Sequence, residues 1–273
     1  MKKFFVSVLT ALKRVILIGA VLWSVSVVWK FQVLRARAQA LSQASAGLIE
    51  FRLNSLEESM GRVSKIFEAA DAASRRGTGP LPRPIEALRA FLEMGGCVEQ
   101  AAWLAGNGKD SYAVAREGGL LKRRSAEGLV ADPALREAHN KGQVVISGFE
   151  YLPDKIPVFH LSYPLDGREG GFLLARINLW EFLKLPTVQA QAMAGQAFDF
   201  EVRDREGRLL AHRTGSDSLS RLAARFLKVR SSAARMGFEV QLGPTREALV
   251  NLVRPGRLIW WCLGLSLAVV FLL

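Results

Sequence analysis

Residues 156–183 read IPVFHLSYPLDGREGGFLLARINLWEFL, and the class of fold follows from this stretch. Two apolar runs, Pro157–Tyr163 and Gly171–Leu179, lie on either side of the turn signal Asp166-Gly167. Apolar runs of this length that are bounded by turn residues are typical of β-strands. The stretch therefore predicts two consecutive strands joined by a turn, followed by a helix over Trp180–Met193.

Short elements separated by turn residues precede this pair of strands. Asn-Gly between two apolar runs is a hairpin signal, and a proline directly after an aspartate cap favours the start of a helix. The upstream elements predicted in this way are a helix over Ile85–Glu93, strands over Val98–Ala105 and Tyr112–Arg116, a basic connection over Leu120–Val130, a helix over Pro133–Asn140 and a strand over Gln143–Phe149.

The downstream sequence repeats this pattern on a smaller scale. Its predicted elements are strands over Phe198–Arg203 and Arg208–His212 around the turn at 204–207, a helix over Ser218–Arg230, a strand over Phe238–Leu242 and a helix over Pro244–Val253. Helices and runs of consecutive strands in this order predict an α+β fold with antiparallel sheets, arranged as two units of unequal size.

A long helix is predicted upstream of these units, because Ala36–Ala73 contains no proline and is rich in helix-forming residues. Its apolar residues are spaced 4, 3, 4, 3 and 4 apart, which places them on one stripe of a helix. The members of the stripe are Ile49, Leu53, Leu56, Met60, Val63 and Phe67. The stripe can form a dimer seam or can pack on the chain's own following domain, and the spacing leaves both possibilities open.

Both ends of the chain are strongly apolar. Val15–Trp29 carries no charge, and the apolar stretch continues to residue 34 if the Lys30 side chain extends its ammonium group toward water. Leu258–Leu273, at the end of the sequence, has no polar face. About 20 apolar residues are needed to cross a bilayer as a helix. We therefore expect transmembrane helices at 15–34 and 258–273. Alternatives are a cleaved signal peptide at the first and a buried helix of a soluble domain at the second.

The net charge of +12 belongs mainly to these ends. Residues 1–37 contain seven Lys or Arg and no acid, whereas residues 38–245 contain 27 basic and 24 acidic residues. A nearly balanced body does not favour a nucleic-acid partner, and basic residues beside apolar spans fit membrane topology. The composition also excludes a disordered chain and a disulfide scaffold, since there are only two cysteines.

The sequence carries no recognisable catalytic set. The three histidines, His139, His160 and His212, lack metal-binding helix spacing, and the chain has neither a nucleophile elbow nor a phosphate-binding loop. We therefore predict that the chain is not an enzyme and has no metal site or cofactor.

Candidate ligand contacts come from the alternation of the two strands in residues 156–183. If these strands pair, His160, Ser162 and Arg176 share one face, where an arginine can clamp the carboxylate of a small anionic ligand. The alternative is a polar edge that faces solvent.

A second group of candidates comprises Arg136 and His139, one turn apart on the predicted short helix, and Tyr151 in the following loop. Their alternative is an exposed helix face and a loop anchor. The run Lys122-Arg123-Arg124 is interpreted as a solvated segment.

Five segments taken in order resemble the extracytoplasmic Cache sensor domains of bacterial signalling receptors. GCVEQAAWLAGNGKDSYAVAREG at 96–118 is similar to the first strand pair of the membrane-distal module, DPALREAHNKGQVVIS at 132–147 to its helix and next strand, and residues 156–183 to its closing strands. FDFEVRDREGRLLAH at 198–212 and MGFEVQLGPTREAL at 236–249 resemble the first hairpin and last strand of the proximal module. The related CHASE sensors are a close alternative.

This resemblance implies PAS-like antiparallel sheets with a long N-terminal helix between two transmembrane helices. The implied organisation is a cytoplasmic N-terminus at 1–14, a first span at 15–34, a stalk helix at 35–75, a distal sensor module at 85–183, a short proximal module at 184–250 and a second span, whole or truncated, at 258–273. Amino-acid-binding members carry an Arg-x-Trp-Tyr pattern where this chain has Leu135-Arg136-Glu137-Ala138-His139, so the resemblance does not support an amino-acid ligand.

The function expected from the resemblance is that of a sensory input module in the bacterial inner membrane, with most of the chain extracytoplasmic. It would bind a small molecule or a partner, form a homodimer, and transmit the signal through the second span to an output domain that this sequence lacks. The alternative is a membrane-anchored interaction protein of an envelope assembly.

Overall fold

The computed structural model describes residues 2–76, 84–105, 111–117, 119–126, 142, 144–147, 149–152, 156–165, 171–194, 197–213 and 229–256, and positions 260, 261, 264 and 268. The helices in these residues are α1 (Lys2–Arg76), α2 (Pro84–Met94), α3 (Leu179–Ala194) and α4 (Arg246–Val253). The strands are β1 (Val98–Ala105), β2 (Tyr112–Glu117), β3 (Leu120–Ser125), β4 (Val145–Ile146), β5 (Glu150–Tyr151), β6 (Pro157–Leu165), β7 (Gly171–Asn178), β8 (Phe198–Arg203), β9 (Leu209–Arg213), β10 (Val229–Ala233) and β11 (Phe238–Pro244). The α+β class and the long N-terminal helix are confirmed.

The apolar stripe of α1 is buried against the chain's own sheets. Its six predicted members are each no more than 7% exposed and belong to one core cluster with residues of both sheets. Fully burying a side chain such as Leu53 contributes about 1.5–3 kcal/mol. The stripe is therefore an intramolecular packing surface and does not form a dimer seam.

The first sheet has the strand order β3-β2-β1-β7-β6-β4, and β5 also pairs with β6. The predicted pairing of the two strands in residues 156–183 is confirmed, with Leu161 opposite Ala175. The side chains of Phe159, Leu173 and Ile177 point toward α1 and are buried in the shared core. This alternation leaves the intervening positions on the opposite face of the sheet.

The segment Leu120–Ser125 differs from its prediction as a basic connection, because it forms the edge strand β3 beside β2. Lysine and arginine on an edge strand protect unpaired backbone groups from association with another strand. Lys122 lies 3.5 Å from the Glu117 carboxylate, and the Arg123 guanidinium lies over the Tyr112 ring at 5.3 Å. Burial raises the pKa of Tyr112 to about 12, although the charge of Arg123 opposes this shift.

The second sheet has the strand order β10-β11-β8-β9, all antiparallel. Val229 and Arg230 were predicted as the end of a helix but begin strand β10, because pairing with Leu242 and Gln241 supplies their backbone hydrogen bonds. The rest of that predicted helix, up to residue 228, lies outside the described residues, as does the predicted helix over 133–140.

By length and composition, one helix among the described residues could cross a membrane, and it is α1. The apolar stretch that passes this test is not buried inside the protein. The second predicted span lies mostly outside the described residues, although Trp260 and Trp261 within it are helical and exposed.

The short helix α4 contacts the apolar part of α1 through polar groups. The Trp23 indole donates to the Val253 carbonyl at 3.0 Å, and the Lys30 ammonium donates to the Arg254 carbonyl at 2.8 Å. No residue of α4 is buried. These hydrogen bonds therefore hold the end of α4 beside the first helix.

Candidate functional site

The face of the first sheet turned away from α1, here called the outer face, carries polar residues at the centre of the sheet. His160 on β6 is directly opposite Arg176 on β7, so both side chains lie on this face. Ser162 is opposite Leu174 one step along the same strands. The structure thus brings together the three first-choice residues, whose ligand binding remains a prediction.

Small and apolar residues surround this polar group. Ala102, Leu104 and Ala113 form a second buried cluster with Leu174, separate from the core that contacts α1. Alanine side chains leave more room above a sheet than larger residues would. This part of the outer face combines an apolar wall with a few polar groups, which is the usual composition of a small-molecule site.

Three further residues that the strand alternation did not indicate lie beside Arg176, and a β-bulge accounts for one of them. The register shifts between Val98 and Gln100, so Gln100 lies opposite Arg176 on the outer face, whereas strict alternation would place it with Val98. Gln100 is buried, whereas its neighbour Glu99 is only partly buried. The signal in the sequence was the polar pair Glu99-Gln100 within the apolar run of β1.

Glu99 and Asn178, the other two, organise the charge at this site. The Arg176 Nε lies 3.6 Å from the Glu99 carboxylate, and the Asn178 amide donates to the same carboxylate at 2.8 Å. Asn178 also accepts a hydrogen bond from the Glu181 backbone at the start of α3. Glu99 is thus held by Asn178, while its ion pair with Arg176 is longer than a hydrogen bond.

Two buried polar atoms on this face have no hydrogen-bond partner among the described residues. They are the Ser162 hydroxyl oxygen and the Arg176 Nε, and the Ser162 residue is fully buried. A buried polar group without a partner costs about 1–3 kcal/mol. Such groups call for a functional explanation, and a bound ligand would supply the missing partners.

His160 is linked to the neighbouring strand through its backbone. Its amide donates to the Ser147 hydroxyl at 2.8 Å, and its carbonyl accepts from the Ser147 amide at 2.9 Å. His160 is buried, with 5% of its surface exposed. These contacts hold His160 against the segment after β4, while the pairing of β6 with β7 sets its position opposite Arg176.

The second group of predicted residues is not brought to this face. Tyr151 lies on β5 and is exposed. Arg136 and His139 lie outside the described residues.

Cys97 precedes β1 and is a free, buried cysteine. Burial raises the pKa of its thiol, against the opposing effect of Arg52. No cluster of metal-ligating side chains is found in the part of the chain that the structure describes.

Comparisons with known proteins rest on structure alone. No protein-family model and no curated protein matches the sequence. The ligand-binding domain of the Campylobacter jejuni chemoreceptor Tlp3, solved with L-norvaline, has a TM-score of 0.57 at 10% identity, covering 83% of this chain and 95% of that domain. The extracellular domain of mmHK1S-Z3, described as a histidine kinase, gives 0.52 at 9% identity and covers 82% and 97%. That of soHK1S-Z6, described in the same way, gives 0.51 at 13% identity and covers 82% and 98%.

The fold is therefore the one shared by this chemoreceptor ligand-binding domain and these histidine kinase extracellular domains. Within that class it is a Cache-like sensor fold, with two antiparallel sheets stacked along one long N-terminal helix. At identities near 10%, this likeness concerns the fold and leaves the ligand open.

Proposed function

We propose that this chain is a membrane-anchored sensory module that binds a small carboxylate on the outer face of its first sheet. The observation that carries the proposal is a pair of buried polar atoms without a hydrogen-bond partner, the Ser162 hydroxyl oxygen and the Arg176 Nε, on a sensor fold. An arginine guanidinium forms short, directional hydrogen bonds with a carboxylate, and a serine hydroxyl can add another. His160, directly opposite Arg176, completes the polar set.

The chemistry of the site supports a carboxylate more than a cation. Glu99 already has partners in Asn178 and Arg176, so it balances one guanidinium and leaves little net negative charge. L-norvaline, with which the Tlp3 domain was solved, contains a carboxylate. Because the Trp-Tyr pattern is missing from residues 135–139, we propose carboxylates without an obligatory amino group.

Signal transmission would run from the first sheet to the C-terminal end of the chain. Ligand binding changes the relative stability of two conformations only if the ligand has different affinities for them. The exit path would be strand β11, helix α4 and the predicted second span. The contacts of the end of α4 with Trp23 and Lys30 of the first helix support this proposed path.

Thermal unfolding of the full-length chain in nanodiscs tests the proposal. The probes are acetate, propionate, lactate and pyruvate, with L-valine and L-norvaline for comparison. A ligand at a hundred times its Kd stabilises a protein by about 2.7 kcal/mol, which corresponds to a shift of roughly 5–10 °C in Tm. We expect at least one carboxylate to give such a shift and Arg176→Ala to abolish it.

The matched control is Arg203→Ala in the second sheet. Arg203 is as buried as Arg176 and is also paired with a glutamate, Glu201, but it lies far along the chain from the outer face of the first sheet. It should leave the ligand-induced shift unchanged. Absence of a shift with every carboxylate, or an equal shift in the Arg176→Ala variant, would contradict the proposal.

A further inference from the structure

A cleft of about 320 Å³ opens where the two sheets meet, and it is separate from the outer face of the first sheet. We call it the junction cleft. Its lining residues are Ile146, Ser147, Phe149, Asp204, Arg205, Glu206, Arg208, Arg235 and Met236. The volume is near the lower end of the range for small-molecule sites, which occur preferentially between structural units.

The floor of the cleft is apolar. Phe149 stacks on Phe238 of strand β11, with ring centroids 5.1 Å apart. Met236 is buried beside it in the turn between β10 and β11. This surface can hold a short hydrocarbon or aromatic group.

Most charged groups around the cleft form ion pairs with one another or with α1. Asp204 is buried and accepts a hydrogen bond from the Arg208 side chain at 2.6 Å, so its carboxylate has a partner within its own turn. Arg208 also contacts Glu206 at 2.7 Å. Arg235 donates to the carboxylate of Glu57 at 2.9 Å, behind the cleft on α1.

Arg205 is the exception in this set. It is exposed, and no carboxylate among the described residues pairs with it. Its side chain packs across Gly237, where a Cβ atom would overlap the Arg205 side chain. Gly237 has a φ of +67°, a left-handed conformation that favours glycine. The two turns therefore hold a guanidinium that has no ion pair among the described residues at the edge of an apolar floor.

We propose that the junction cleft is a second binding site, for a monocarboxylate with an apolar body. The Arg205 guanidinium would pair with the carboxylate, and the apolar body would lie on Phe149 and Met236. Charge-assisted hydrogen bonds of this kind are directional and stronger than neutral ones. The site is distinct from the proposed carboxylate site at Arg176 and does not depend on it.

An occupant of this cleft would contact both structural units at once. Ser147 in its wall exchanges two hydrogen bonds with His160 of the outer face. Arg235 connects the opposite wall to Asn54 and Glu57 of the long helix. Binding here would therefore alter the position of the first sheet relative to the second.

Titration calorimetry on the full-length chain in nanodiscs tests this site with phenylacetate as the probe. Arg205→Gln should weaken phenylacetate binding about 10- to 100-fold, the effect of losing a charged hydrogen-bond partner. Arg176→Gln should leave it unchanged. Arg89→Gln is the matched control, because Arg89 is also exposed and has no ion pair with a described residue. The uncharged analogue phenylacetamide should bind at least tenfold more weakly than phenylacetate.

Each of the opposite results would overturn the proposal. These are no measurable phenylacetate binding to the native chain, equal affinity in the Arg205→Gln variant, or equal affinity for phenylacetamide. Loss of binding in Arg176→Gln alone would assign phenylacetate to the outer face of the first sheet. That result would contradict binding in the junction cleft but would agree with the proposed carboxylate site at Arg176. The experiment therefore distinguishes failure of one proposal from failure of the other.

Discussion

Asp204 organises the turn between β8 and β9 with one buried carboxylate. Its Oδ1 accepts from the backbone amides of Glu206 and Arg208, at 3.0 and 2.8 Å. Burial alone would raise the pKa of this carboxyl, but the hydrogen bonds from Arg208 and Glu206 outweigh it. The pKa is therefore lower than the ordinary value of 3.8.

Replacing Asp204 with asparagine should lower the Tm of the full chain. The charged hydrogen bonds of a buried carboxylate contribute about 1–3 kcal/mol, or roughly 2–10 °C in Tm for a chain of this size. Because the folded pKa is depressed, this stabilisation is present above pH 3.8 and is lost as the pH falls through the folded value. The native chain should therefore lose this part of its stability in strong acid, while the variant should lack it at every pH.

Thermal unfolding between pH 2 and 7 measures both effects. Glu206→Gln is the control, because Glu206 is exposed and its ion pair with Arg208 lies in solvent. It should change the Tm by no more than about 1–2 °C. Equal losses in the two variants would show that the turn does not depend on Asp204.

Residue patterns in the sequence predicted part of the candidate site. Strand alternation placed His160 and Arg176 on one face because their strands are regular and pair without a shift. Gln100 could not be placed in this way, because the bulge before it reverses the alternation. The partners of Glu99 depend on the position of β7 beside β1, which alternation within one strand does not determine.

At the scale of elements, α4 depends on polar contacts at its C-terminal end. The last carbonyl groups of a helix lack intrahelical partners, and here the Lys30 ammonium donates to two of the carbonyls at this end. Its positive charge also interacts favourably with the negative end of the helix dipole. The N-terminus of α4 is capped by Thr245, which accepts from the Ala248 amide. Because no residue of α4 is buried, side-chain packing contributes little to holding the helix in place.

Substituting Lys30 with methionine should loosen α4 without unfolding the sheets. A cation at a helix C-terminus contributes about 0.3–1 kcal/mol, which corresponds to roughly two- to fivefold faster amide exchange. Hydrogen exchange at Leu249 and Arg254, whose amides bond within the helix, measures this change. Exchange in strand β11 should stay as in the native chain.

The control is Arg35→Met, which removes an exposed cation from the same helix about one turn and a half away. Arg35 should not affect exchange in α4. If both variants speed exchange equally, a general change of charge on α1 is responsible, and the specific role of Lys30 is wrong.

Element boundaries were easiest to predict where one physical signal dominated. Strands β1 and β8 begin and end as predicted, because apolar runs there are bounded by turn residues. Strand β3 was missed because its Lys and Arg residues resemble a solvated connection, and only the pairing with β2 reveals an edge. Strand β10 was missed because its short sequence has no apolar alternation of its own.

At the scale of the whole molecule, α1 is a wall shared by both sheets. Its Ser42 donates to the Val240 carbonyl of the second sheet at 3.1 Å. Farther along, the Phe67 ring lies 5.7 Å from that of Trp103 in the first sheet. A single core cluster includes residues from all three parts.

This shared core predicts that damage at one end of α1 spreads to the other. Phe67→Ala should lower the free energy of unfolding by about 3–5 kcal/mol. The ring of Phe67 packs on Trp103 of the first sheet, yet the substitution should also reduce the hydrogen-exchange protection of strand β11 in the second sheet. Unfolding should remain a single transition. Ile66→Ala, at a more exposed neighbouring position, should change stability by less than 1 kcal/mol.

Two separate transitions, with β11 unaffected in the Phe67→Ala variant, would show that the sheets are energetically independent. In that case, communication between the outer face and α4 would need a path other than the shared core.

The arrangement of α1 also determines how the chain matures on the ribosome. The segment around Phe67 can pack once the first sheet has emerged from the ribosome. The segment from Ser42 to Glu57 can complete its contacts only after strands β10 and β11 have been synthesised. Ile49 and Leu53, within that segment, are synthesised early, yet part of their surroundings is made some 180 residues later. This segment of α1 thus stays partly uncovered for most of the synthesis of the chain. A chaperone or the membrane surface would have its longest opportunity to engage the protein there.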